Sequence, residues 1–207
     1  MRYEITRVAN FLVGSIITCM SSVNPRPLAE ILAAMSNKTD ADVALVTKAY
    51  EFSKNAHKDQ KRYSGDNYFV HPAEVGFLLA TAGMDSQTIA AGFLHDTIED
   101  AGAKPQVIEE QFGPEVLSLV IGVTKLGTLR YRGLERHTES LRKLFAATAK
   151  DIRVLIIKLM DRLHNARTLE HVPVHILHPL NLRDAEGVLF DDEFRGVVRL
   201  VSLLNGL

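Results

Sequence analysis

The sequence predicts an all-α fold, a compact multi-helix array rather than a simple four-helix bundle, on three observations. Apolar residues recur at three- and four-residue spacing in successive segments. Residues suited to starting and stopping helices punctuate those segments. No segment alternates apolar and polar residues as a half-buried strand would. A chain of 207 residues, 46% hydrophobic and 24% charged, is long enough for one domain with a sizeable core.

The elements follow in order. Met1–Arg7 carries Arg2 and Arg7, and Val8–Met20 is mostly apolar. This superficially fits a signal peptide, but the run is shorter than the roughly 20 residues of a membrane span. A packed or surface helix is the expectation, unless translation starts at Met20 or Met35. Two prolines mark Val23–Pro27 as a linker. Pro27–Met35 reads as a short helix. Asp40 or Asp42 caps the next, which Val43, Val46, Ala49, Tyr50 and Phe52 carry to about His57. Lys58–Tyr68 is a polar loop. His71-Pro72 opens a helix to Ala82, with Gly83 as its stop. A helix capped by Asp85 or Ser86 runs to about Gly102. Lys104–Phe112 is short and amphipathic, and Pro114 starts a helix through Val123 or Thr124. Lys125–Gly133 reads as a mobile loop. Leu134–Ala149 and Asp151–Glu170 are helical, the second with an apolar run at Val154–Met160. Pro173 and Pro179 disfavour helix in the tail until Asp191–Leu204, where an amphipathic pattern resumes. The expected division is an extension over 1–35, a domain over 36–173, and a divergent tail with a terminal helix over 174–207.

Residues 93–100, Phe-Leu-His-Asp-Thr-Ile-Glu-Asp, carry the chemistry. On a helix, Asp96, Glu99 and Asp100 share one face beside His95. Phe93, Leu94 and Ile98 argue that this helix is largely buried, so it is not a plain solvated acidic face. Burying a carboxylate cluster is costly, because like charges repel and each loses its hydration. Such a cluster asks for a cation, and His-plus-carboxylate ligation suits a divalent metal that activates water. His71 and Asp161 are the candidate partners from elsewhere in the chain. Asp161 ends an apolar helical stretch, an unusual place for a carboxylate unless it is paired or ligating. His164 and Asn165, three and four residues later, lie on the same helical face. His164 reads as a core or supporting residue more readily than as a ligand, and His57 as a structural histidine. A net charge of −1 gives no general drive toward nucleic acid. The one cysteine, Cys19, excludes an internal disulfide and a cysteine-based zinc site.

Several motifs occur together over Val43–Pro173. They are Ala56-His57 with Gln60-Lys-Arg62 and Ser64-Gly65; Tyr68-Phe-Val-His71-Pro72; the octapeptide at 93–100; Phe112-Gly113; Gly122-Val-Thr-Lys-Leu126; and the run Asp151–Leu169. In order and approximate spacing they resemble the hydrolase domain of the RelA/SpoT-homologue family. That family has an HD-type metal-dependent phosphohydrolase fold and removes pyrophosphate from the alarmones ppGpp and pppGpp. The resemblance implies that His71, His95, Asp96 and Asp161 ligate one metal, manganese in this family. It implies that Glu99 and Asp100 position or deprotonate the attacking water. It implies that Arg62 contacts the guanine nucleotide, that Asn165 touches the ribose or orients the ligand, and that Thr168 is a weaker candidate for that group. Ser64 and Lys125 would meet base or phosphate oxygens. A cytoplasmic enzyme acting on a small guanine nucleotide follows, with no membrane partner expected and no oligomeric state legible.

The sequence departs from the family in two places. Position 63 is tyrosine, where many relatives carry a basic residue. After Pro173 the family pattern is lost, and nothing resembles the synthetase and regulatory modules of its long members. A hydrolase-only protein or a truncated relative is therefore expected. Hydrolysis of another nucleotide, or nucleotide binding without turnover, are the alternatives.

Overall fold

In the computed structural model, residues 24–62, 65–127 and 150–167 are described, apart from the side chains of 125–127 and 166–167. They form six helices: α1 (Leu28–Ala34), α2 (Asp40–Ala56), α3 (Val70–Thr81), α4 (Ser86–Leu94), α5 (Pro105–Gly127) and α6 (Ile152–Arg167). The predicted helices at 134–149 and 191–204, and the reading of 1–23, lie outside the described residues. The all-α expectation holds. The extended pairing among the described residues is one isolated bridge, Lys61 with Asn67.

Local chemistry sets the ends of the helices. Thr39, not an aspartate, is the N-cap of α2. Its hydroxyl accepts from the Asp42 N–H at 3.3 Å, and Asp42 Oδ2 accepts from the Thr39 N–H at 2.8 Å. This reciprocal capping box satisfies two backbone donors that the first turn leaves unpaired. Asp85 caps α4 by accepting from the Thr88 N–H at 2.9 Å. Past the end of α3, Gly83 takes a φ of 77° and Met84 N–H reaches back to Leu79 O at 3.0 Å. That left-handed stop is the one the glycine predicts. The two predicted helices around Gly113 join as α5, and Gly113 breaks the path at φ 86° and ψ 166°.

Helix α4 is the centre of the fold. Its residues Ser86, Thr88 and Ile89–Leu94 are all buried, so it is covered on every side. It packs against α2, α3, α5 and α6. Glycines bring α3 and α4 together: a Cβ on Gly76 would collide with the Phe93 ring, and one on Gly92 with Leu79. Tyr50 on α2 stands edge-on to Phe69 and Phe93, with ring centres 4.8 and 5.6 Å away. Arg153 at the start of α6 pairs with Glu115 at 2.8 Å and ties α6 to α5.

Two outcomes test this account. Gly76→Ala should destabilise the chain by about 1–3 kcal/mol in chemical denaturation, because the Phe93 ring is fully buried and cannot move aside. An unchanged midpoint would show that the α3–α4 contact is not tight. The Asp42 carboxyl is held down to about 2, first by the Ser86 hydroxyl and then by Thr39. Its folded value lies below its unfolded one, so its contribution is present above about pH 4 and lost as the pH falls through about 2. Melting temperatures of the chain and of Asp42→Asn should converge over that window. Parallel curves would remove Asp42 from the acid response.

Candidate metal centre

Three helices deliver the site. His71 lies in the first turn of α3, His95 is the C-cap of α4 with Asp96 following, and Asp161 lies on α6. The expected helix through Gly102 is corrected here, because α4 ends at Leu94 and residues 95–100 form turns. Side chains take the carbonyls that would have continued it. His95 Nδ1 meets Gly92 O at 2.7 Å, Ser53 Oγ donates to Phe93 O at 2.7 Å, and Thr97 Oγ1 donates to Leu94 O at 2.7 Å. The ending aims His95 and Asp96 at α3 and α6.

The ligand atoms of His71, His95 and Asp161 all lie within 4.8 Å of one another. His71 Nε2 is 3.2 Å from His95 Nε2, 3.3 Å from Asp161 Oδ1 and 3.6 Å from Asp96 Oδ2. His95 Nε2 is 3.0 Å from Asp96 Oδ1 and 4.0 Å from Asp161 Oδ1. His71, His95 and Asp161 are buried, and Asp96 keeps 19% of its side-chain surface exposed.

Electrostatics follow from this crowding. Burial alone would lower His95, but the adjacent Asp96 carboxylate lifts the ring to about 9. Burial dominates at His71 and keeps that ring neutral. Burial also pushes Asp96 upward, yet the paired His95 charge overrides it and holds the carboxyl below the usual range. Asp161 is held down against burial by Lys158 and by hydrogen bonding to His71. Lys158 Nζ donates to Asp161 Oδ2 at 2.8 Å, and Asn165 Nδ2 donates to Oδ1 at 2.8 Å.

These residues fit a divalent transition cation. Two imidazole nitrogens and carboxylate oxygens converge, the donor set such ions take. His95 donates its Nδ1–H to the Gly92 carbonyl, which leaves Nε2 as the lone pair facing the other ligands. A cation would displace the proton that Asp96 otherwise holds on His95.

Around this centre, the Tyr68 hydroxyl lies 3.0 Å from Asp96 Oδ2 and 2.6 Å from Asp100 Oδ2. Burial and the two carboxylates push its pKa far upward, so it remains a donor. Tyr68 stacks on His57, with ring centres 4.7 Å apart. Gln60 bridges His57 Nδ1 at 2.7 Å and the Asp100 carbonyl at 2.6 Å. Glu99 is exposed, and its carboxyl is raised by partial burial and by Asp96. Arg62 is presented by a tight loop, in which its N–H meets Asp66 O at 2.9 Å and Gly65 turns at φ 88°. Its Nη2 donates to Asn165 Oδ1 at 2.9 Å. The structure therefore brings together His71, His95, Asp96, Asp161, Asp100, Arg62 and Asn165. Ser64 and Thr168 lie outside the described residues, as does the side chain of Lys125. The sequence reading assigned no role to Tyr68 or Lys158. Lys158 stands three residues before Asp161 on one helix, and that spacing signals the pair. Tyr68 meets Asp96 and Asp100, 28 and 32 residues away, which no local spacing signals.

The HD domain family matches residues 49–180. The chain belongs to that family. A guanosine-3′,5′-bis(diphosphate) 3′-pyrophosphohydrolase of Aquifex aeolicus is 43% identical over 150 residues, covering 72% of this chain and 21% of that protein. A GTP pyrophosphokinase, rsh, of Brucella melitensis is 50% identical over 133 residues, covering 64% of this chain and 18% of that protein. The chain thus spans about a fifth of the length of the curated relatives it matches. A solved structure of a metazoan ortholog of SpoT, which hydrolyses ppGpp and plays a role in starvation responses, aligns with a TM-score of 0.51 at 28% identity. That alignment covers 65% of this chain and 74% of the other. The expected kinship with the RelA/SpoT-homologue hydrolase domain, and the HD fold, are borne out. No helix among the described residues is long and apolar enough to cross a membrane.

His95→Ala and Asp161→Ala should each weaken divalent-cation binding by at least about tenfold while the circular dichroism spectrum is kept. Isothermal titration with Mn2+ reads this. Undiminished binding by either folded variant would remove that residue from the ligand set.

Proposed function

We propose that this chain hydrolyses the 3′-diphosphate of ppGpp and pppGpp, giving GDP or GTP and pyrophosphate, with manganese as its cation. The observation that carries the reading is the convergence of His71, His95, Asp96 and Asp161 beside the Arg62–Asn165 pair. The similarity to the Aquifex pyrophosphohydrolase and to the metazoan ppGpp hydrolase supports the substrate. The reading carries with it a cytoplasmic location.

His71, His95, Asp96 and Asp161 would hold the cation. When bound, the cation lowers the pKa of coordinated water and polarises a phosphoryl oxygen. Asp100, anchored by Tyr68, and Glu99 take the proton of the attacking water. The raised carboxyl of Glu99 brings it closer to the neutral range, where proton transfer is efficient in both directions. The water oxygen joins the phosphorus, the bond from that phosphorus to the ribose 3′ oxygen breaks, and the 3′ oxygen takes up a proton. Arg62 offers a planar guanidinium to the guanine ring. Asn165, with Thr168 as a weaker partner, meets the ribose. Ser64 and Lys125 meet base or phosphate oxygens, and Lys125 offsets charge that builds on the leaving group.

Purified chain incubated with ppGpp and Mn2+ should release GDP and pyrophosphate, and a chelator should stop it. Undiminished turnover in chelator, or none with Mn2+ on ppGpp and pppGpp, would defeat the proposal. A panel of other nucleotides, run alongside, identifies a different substrate. Asp100→Asn should lower kcat by about 10²–10⁴-fold, with Mn2+ affinity retained. A kcat near that of the unsubstituted chain would exclude Asp100 from proton transfer.

A further inference from the structure

His71 can serve as a ligand only if its Nε2 is bare, because that nitrogen faces His95, Asp161 and Asp96. Its ring proton must then sit on Nδ1. His71 Nδ1 lies 2.8 Å from His164 Nδ1, and both rings are buried. Between two ring nitrogens at that distance, one donates and the other accepts. The neighbours of His164 decide which. Arg62 Nη1 points at the same His164 nitrogen from 3.5 Å, and a guanidinium is always a donor. A proton on His164 Nδ1 would face both the guanidinium and the His71 N–H.

We infer that His164 is a positioning residue. By accepting from His71 Nδ1–H, it fixes the tautomer and ring orientation that turn His71 Nε2 toward the cation. Metal-ligating histidines commonly donate their second N–H to a carbonyl, carboxylate or water, and His95 does so to Gly92. Here a second imidazole fills that role. Its acceptor state is favoured by the Arg62 guanidinium 3.5 Å away, the residue proposed to meet the nucleotide. Arg62 also reaches Asp161 through Asn165, by contacts of 2.9 and 2.8 Å. One arginine therefore braces two of the ligands, one on α3 and one on α6. The inference rests on the cation reading given under Proposed function.

Two variants separate positioning from packing. His164→Phe keeps the ring and removes the acceptor, whereas His164→Asn places an amide oxygen near the Nδ1 position. Mn2+ affinity, measured by isothermal titration on folded chain, should fall about 10–100-fold in His164→Phe and stay within about threefold in His164→Asn. Equal affinity of His164→Phe and the unsubstituted chain, or equal loss in both variants, overturns the inference. Should His164→Phe fail to fold, histidine nitrogen NMR on the Zn2+-loaded unsubstituted chain decides. A coupling between the two Nδ1 nuclei, with the proton on His71, is expected. A proton on His164 Nδ1 overturns the inference. Failure of the unsubstituted chain to bind Mn2+ or Zn2+ would defeat the cation reading itself. Cation binding without an effect of His164 would defeat only the inference.

Discussion

His71 Nε2 lies within 3.2–3.6 Å of ligand atoms from His95, Asp96 and Asp161. Packing two carboxylates and two imidazoles so closely, almost sealed from water, carries a desolvation penalty of several kcal/mol per ion. The surrounding groups answer that penalty directly. Lys158 and Asn165 take both oxygens of Asp161, His95 offsets Asp96, and Tyr68 adds a hydroxyl to Asp96. Several of these charges would be uncompensated alone, so the site holds together as a unit.

The fold supplies the convergence by ending one helix early. Helix α4 is buried except at the half-buried Gln87, and continuing it would carry Asp96 onward along its axis. His95, Ser53 and Thr97 occupy its last carbonyls instead, and the chain turns. The same His95 that caps the helix is thereby held with Nε2 toward His71 and Asp161. Glycines at 76 and 92 let α3 approach α4 closely enough for His71 to meet it. Helix packing and site geometry are thus one constraint.

The segment from His57 to Phe69 brings several polar groups to this centre. Gln60 holds the Asp100 carbonyl, Tyr68 holds the Asp100 carboxylate, and Arg62 reaches Asn165. A loop is an economical place for such groups, because a rigid scaffold can position several of them at once. His57, itself buried, stacks on the half-buried Tyr68 and ties that end of the segment to the core.

Much of the fold and the candidate site was legible in the sequence, because helical periodicity and local stop signals are short-range properties. The α3 stop at Gly83 and the break at Gly113 follow from residues beside them. The T-x-x-D box at Thr39 is equally local, but Asp40 and Asp42 beside it are equally suitable cap types by sequence alone. His95-Asp96 identified itself as chemical because carboxylates beside Phe93 and Leu94 have no bland use. The sequence by itself determined which residue types the site contains and that His71 and Asp161 ride on helices. Only the tertiary structure decided how they meet. The end of α4 depends on Ser53, 40 residues away from Phe93, and the His71–His164 contact spans 93 residues. Such pairings arise from packing of distant helices, which no local pattern encodes, and they set which nitrogen of each histidine faces the other candidate ligands.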